Sequence, residues 1–161
     1  MQDDIVIQPE RPDSGEVVAM LDALDAYLAG LYAPEANHLL DVQALLDPGV
    51  TFLTARRAGR AVGCGAVRRM PGDPSTLGVP YGEIKRMYVN PEARGERIAS
   101  RLLARLECAL RDDGLDWALL ETGGEQTDAV RLYERAGYTR RAAFGGYPDN
   151  GLSWFYAKSL A

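Results

Sequence analysis

The sequence is poor in the residues that hold metals and disulfides. Its 161 residues include two cysteines, Cys64 and Cys108, and a single histidine, His38. Two cysteines do not make a disulfide scaffold; they fit a reduced, cytoplasmic protein. With no ligand spacing among these three residues, no metal site is expected. Long apolar runs are also missing. No segment approaches the roughly 20 residues that cross a bilayer, so no membrane partner is expected. The acidic start, MQDDIVIQPE, is unlike a secretion signal. Positive charge is in deficit, with 18 Lys and Arg against 23 Asp and Glu, a net charge of −5. That balance argues against a nucleic-acid partner, although basic groups that converge locally still bind anions. Neither G-x-x-x-x-G-K-[ST] nor G-x-G-x-x-G occurs, which disfavours nucleotide binding of those two types. Repeats, low-complexity tracts and linkers are absent as well.

What is present is an ordinary globular composition, 47% apolar and 25% charged. The length suits one domain over residues 1–161. The pattern alternates between periods. Ile5 to Pro12 reads as a strand ended by proline. Ser14 caps a helix with Val17, Val18, Leu21, Leu24, Leu28 and Leu31 on its apolar face. Asn37 caps a second helix, HLLDVQALL. Two strands meet at RAGR, and YGEIKRMYV is a third. After Pro91 the period becomes helical, with Ile98, Leu102, Leu106 and Leu110 recurring every fourth residue from about Glu96 until Gly114. DWALLET is a strand apolar enough to be central. TDAVRLYERAGY is a helix from Thr127 to Gly137, and two strands close the chain. The order β-α-α-β-β-β-α-β-α-β-β predicts a mixed α/β fold with at least one parallel pairing.

At the junction YVNPEARGERIA the strand pattern gives way to the helical one. A strand runs into a helix N-terminus, where N–H groups lack partners and the partial charge is positive. Gly95 permits close backbone approach, and Arg94, Arg97 and Arg101 supply charge. This arrangement suits a phosphate. It equally suits a solvated turn with a basic rim.

At this point the sequence resembles the GNAT superfamily of N-acetyltransferases. Arg94-Gly95-Glu96-Arg97-Ile98-Ala99 follows its acetyl-CoA motif [QR]-x-x-G-x-[GA], with Arg97 where the family has glycine. Glu83 to Val89, EIKRMYV, looks like the family's pantetheine-binding strand. AVRLYERAGY looks like its A-x-x-L-Y-x-x-x-G-[FY] signature. The resemblance implies a single-domain fold with a central mixed, twisted sheet flanked by helices. It implies that the pyrophosphate of acetyl-CoA rests on the amides of Arg94 to Ala99, and that main-chain groups of Met87, Tyr88 and Val89 pair with the pantetheine. Gln126 aligns with a CoA-contacting asparagine. The closing segment and NHLLD resemble a bacterial subgroup of mostly unassigned acceptors. Such folds often form homodimers.

The implied chemistry is acetyl transfer to an amine. Glu83 and Glu121 start and end strands beside the implied cofactor site; the resemblance puts a base, often acting through water, at Glu83, leaving Glu121 or water alone as alternatives, and a general acid for the departing thiolate at Tyr133. The plainer readings are a solvated strand-end carboxylate and a core tyrosine. Cys64, between two glycines, reads as core. Asn37 and His38 lie where family acceptor-site helices begin. GGYPDNG reads either as an acceptor cover or as a hairpin turn, and the Arg68-Arg69 and Arg140-Arg141 pairs as solvated surface. The expected activity is acetylation of a small primary amine or amino acid. Acetylation of a protein N-terminus or lysine, or a silent acyl-CoA-binding module, are the alternatives.

Overall fold

The computed structural model describes residues 4–32 and 40–161. Its elements are β1 Ile5–Pro9, α1 Gly15–Ala29, α2 Val42–Leu45, β2 Val50–Arg57, β3 Arg60–Met70, β4 Tyr81–Val89, α3 Ile98–Asp112, β5 Trp117–Gly123, α4 Thr127–Arg135, β6 Thr139–Arg141 and β7 Ser153–Ser159. Their order is the one expected. The strands form one seven-stranded sheet, β1-β2-β3-β4-β5-β7-β6. β4 and β5 are parallel, whereas β5 with β7 and β6 with β7 are antiparallel. The fold is therefore mixed α/β, and β5 is an interior strand, as its continuous apolar run predicts.

Local chemistry explains most boundaries. The Val17 N–H donates to Ser14 Oγ at 3.3 Å and starts α1. Val17, Met20, Leu21, Leu24 and Leu28 are buried. Met20 joins this face at a three-residue step from Val17, whereas Leu31 falls past the end of the helix and is 36% exposed. The second helix is shorter than expected: the Asp41 carboxylate caps it, accepting from the Ala44 N–H at 2.8 Å. The expected cap Asn37, and His38, lie outside the described residues. Ala58 and Gly59 have φ of 50° and 80°, the pair of left-handed residues that a tight hairpin between β2 and β3 requires. Gly114 closes α3 at φ 76°, and the Leu115 N–H returns to the Leu110 carbonyl at 3.0 Å.

Two compact units make up the chain, Met1–Val67 with Lys85–Leu106, and Arg68–Ile84 with Glu107–Ala161. In the first, Val17, Met20, Leu21, Leu45, Phe52, Ala61, Cys64 and Ala66 form a core. Ile98, Leu102 and Leu106 of α3 are at most 1% exposed. The helix lies close to β3 because a Cβ on Gly63 would meet Leu102 at 3.4 Å, and one on Gly65 would meet Leu106 at 3.2 Å. In the second unit Tyr81, Leu119, Phe144 and Phe155 pack together.

Candidate active site

In the first unit, β4 leads through a single turn at Pro91–Ala93 into α3. Gly95 has φ 85° and Arg97 has φ 62°. A residue with a Cβ ordinarily takes a negative φ, because the left-handed region is disfavoured. Here the arginine adopts the conformation for which glycine is the usual choice, at roughly 1–2 kcal/mol. The Arg97 carbonyl accepts from the Arg101 N–H at 3.1 Å, so Arg97 occupies the cap position of α3. Its side chain has donors only and cannot cap. The first-turn N–H groups are thereby left for an external anion, and a Cβ on Gly95 would meet nothing within 4 Å. Ile98 is buried and anchors the turn, while Arg94 to Arg97 are exposed and Ala99 half-buried. This geometry fits a phosphate-bearing coenzyme.

The three arginines divide their work. Arg94 Nε donates to the Val89 carbonyl at 3.0 Å, and its guanidinium stands 5.7 Å over the Tyr88 ring. Arg101 was expected at the phosphate, but its Nη2 donates to the Ile5 carbonyl at 3.2 Å and so braces the edge strand. Glu96 is paired with Arg57, which offsets its charge beside the loop. The Arg97 side chain carries no hydrogen bond or ion pair among the described residues.

Within β4, Arg86 has a φ of 60°. This left-handed residue breaks the alternation, and Lys85 and Arg86 are both buried. Arg86 Nη1 contacts Asp25 Oδ1 at 2.5 Å, which ties the bulge to α1, and its carbonyl accepts from the Cys64 thiol at 3.4 Å. The parallel ladder with β5 consists of Gly82, Glu83 and Ile84 against Ala118, Leu119 and Leu120. Met87, Tyr88 and Val89 lie past its end. Burial pushes the Cys64 thiol up to about 12, as befits a core residue.

The second unit holds the expected acid and base. Glu83 is 1% exposed. Arg68 Nε donates to its Oε1 at 2.8 Å, and the Tyr147 hydroxyl donates to its Oε2 at 2.5 Å. Glu83 is thus a buried, hydrogen-bonded carboxylate, not a solvated strand end. Arg68 is no free surface residue either; its side chain reaches from β3 to this carboxylate. Arg69 pairs with Asp113, and Arg140 stacks 4.1 Å over the Trp154 ring. Arg141 reaches the Ser75 carbonyl at 2.8 Å. Arg140 is exposed, as expected of a solvated pair, whereas Arg68 is tied to a buried carboxylate, a reach that its sequence neighbours do not reveal. Glu121 accepts from Ser153 Oγ at 2.8 Å. Tyr133 is 6% exposed and packs edge-on against Tyr138; burial, then the Glu121 charge, pushes its hydroxyl upward. Gln126 precedes α4, accepts from the Val130 N–H at 3.0 Å and makes no side-chain cap bond. Sequence reasoning left Tyr147 unassigned. Its one signal is an aromatic residue flanked by glycine and proline in an otherwise polar loop.

Residues 17–138 match the acetyltransferase (GNAT) family. The chain belongs to the GNAT acetyltransferases. It is 46% identical to the IAA acetyltransferase of Azospirillum brasilense, over 97% of this chain and 98% of the relative. It is 36% identical over 94 residues to the aminoalkylphosphonate N-acetyltransferase of Salmonella typhimurium, covering 58% of this chain and 60% of that one. A solved Klebsiella pneumoniae structure, provisionally named an acyl-CoA N-acyltransferase, superposes with a TM-score of 0.79 at 34% identity, over 98% of both chains. This GNAT protein is accordingly an acetyl-CoA-dependent acyltransferase. Among its described residues no helix is long and apolar enough to cross a membrane, and no cluster of three metal-ligating side chains occurs.

Proposed function

We propose that residues 1–161 form one acetyltransferase domain that moves an acetyl group from acetyl-CoA directly to the primary amine of a small molecule or an amino acid. The carrying observation is the start of α3, where Gly95 and Arg97 are both left-handed and the cap residue offers no acceptor. Amides of Arg94, Gly95, Glu96, Arg97, Ile98 and Ala99 hold the pyrophosphate in this reading. Main-chain groups of Met87, Tyr88 and Val89 pair with the pantetheine as a strand pairs with a sheet edge, and Gln126 contributes a further contact. The coenzyme supplies an acyl thioester. Only about one alkyl amine in 2,500 is neutral at pH 7. Glu83, as general base, removes the excess proton, and Tyr133 protonates the departing thiolate. The un-ionised, buried Cys64 supports transfer without an acyl-enzyme. The amine in the name of the Salmonella typhimurium relative supports an amine acceptor here.

Release of free CoA thiol from acetyl-CoA tests this. The panel holds aminoalkylphosphonates, amino acids, IAA, a peptide N-terminus and a lysine peptide. Release with a small amine is expected. Release with peptides alone makes the protein a protein acetyltransferase, and tight CoA binding without release to any acceptor refutes the reading.

A further inference from the structure

Glu83 has a difficulty as a base: at 1% exposure it is out of reach of an incoming ammonium. The groups around it determine how a proton arrives. Arg68 occupies Oε1, and a guanidinium stays protonated in proteins, so it carries no proton across. The Tyr81 hydroxyl, also buried, has no hydrogen-bond partner among the described residues and lies close under Gly145, where an added Cβ would stand 3.1 Å from it. Tyr147 differs from both. Its hydroxyl holds Oε2 at 2.5 Å, while the residue itself is only half-buried, on a loop between β6 and β7. Phe144 at 5.5 Å and Phe155 at 6.1 Å fix its ring, and its N–H donates to the Phe144 carbonyl at 3.0 Å.

We propose that Tyr147 relays the proton to Glu83: its oxygen takes a proton from the substrate ammonium while its own proton passes to Glu83 Oε2. This rests on Glu83 as the base. One N–H bond and the original Tyr147 O–H bond break, a new O–H bond forms on Tyr147 and another on Glu83, and the tyrosine ends neutral, as it began. The products are a neutral amine, ready to attack the thioester, and a protonated Glu83. Burial and the Glu83 charge hold the Tyr147 hydroxyl un-ionised, so it acts as a conduit and not as a base itself. Among the described residues, the ionisable groups facing this pair include Arg68 of β3, Tyr81 of β4 and Glu121 of β5, with Asp73 and Arg141 acting on Tyr81.

The test compares Tyr147→Phe and Glu83→Gln by kcat/KM against pH, with an amine the protein acetylates. Each variant is expected to lose roughly 10²-fold at pH 7. The loss should shrink by up to about tenfold per pH unit as the neutral amine fraction grows. The double variant should be no worse than the poorer single one, because both residues serve one path. A Tyr147→Phe protein with normal activity beside an impaired Glu83→Gln protein overturns the relay and leaves the base standing. Two normal variants overturn both. A Tyr147→Phe loss independent of pH, with acetyl-CoA affinity intact, assigns the tyrosine to packing and also overturns the relay. If Tyr147→Phe fails to fold, the wild type in mixed H2O and D2O is decisive. Two protons in flight give a curved dependence of rate on deuterium fraction, whereas a straight line refutes the proposal.

Discussion

Replacing Arg97 with glycine separates two properties that this residue combines, strain and charge. Its φ of 62° sits in the left-handed region, at roughly 1–2 kcal/mol for a residue with a Cβ. A cation at a helix N-terminus adds about 0.3–1 kcal/mol against folding. Glycine removes both penalties but loosens the unfolded chain, which returns about 0.4–1 kcal/mol. The balance is a gain of roughly 1 kcal/mol, or about 2–4 °C in melting temperature for a domain of this size. CoA binding should move the other way. The exposed guanidinium contributes about 0–1 kcal/mol as a surface pair with a phosphate and about 1.5–3 kcal/mol as a well-formed charged hydrogen bond. Arg97→Gly is therefore expected to weaken CoA binding by less than about 100-fold. Thermal melting of the free protein and calorimetric CoA titration at low and high salt measure the two effects. The affinity loss should diminish as salt rises, and should be smaller for dephospho-CoA if the guanidinium reaches the 3′-phosphate. A variant that binds CoA more tightly at low salt would show the arginine to obstruct the loop and would refute the argument from charge.

Tyr133→Phe should lower turnover by roughly 10²-fold while CoA affinity holds; unchanged turnover with chemistry rate-limiting removes Tyr133 as the acid. Leu102 is fully buried in α3, so Leu102→Ala should destabilise by about 2–5 kcal/mol in denaturant unfolding; a negligible shift would mean that the cavity collapses. Hydrogen bonds from Arg56 hold the Glu10 carboxyl down at about 2, against an ordinary 4.5. A depressed carboxyl stabilises the fold fully above its unfolded value, so this contribution should fade as pH falls from about 4.5 towards 2. Melting temperatures across that window should drop less steeply in Glu10→Gln than in the wild type; parallel curves would show that Glu10 contributes nothing to the acid sensitivity.

Periodicity and turn chemistry are local, and they determined what can be read along the chain. The four-residue spacing of Ile98, Leu102, Leu106 and Leu110 marked both α3 and its buried face, because one side of a helix repeats at that interval. Gly114 and Gly137, with φ of 76° and 99°, marked where helices stop. The glycine-bearing turn into α3 was legible too, since strand, glycine and helix start are consecutive. The tertiary structure decided which long side chains are tied to distant partners. Nothing local distinguishes Arg101, bound to Ile5 at 3.2 Å, from Arg97, which stays exposed. Nothing local pairs Arg68 and Tyr147 with Glu83, 15 and 64 residues away. The backbone of Arg97 is the sharpest case. Its side chain predicts a negative φ, and the demands of the turn into α3, with Ile98 buried behind it, override that preference.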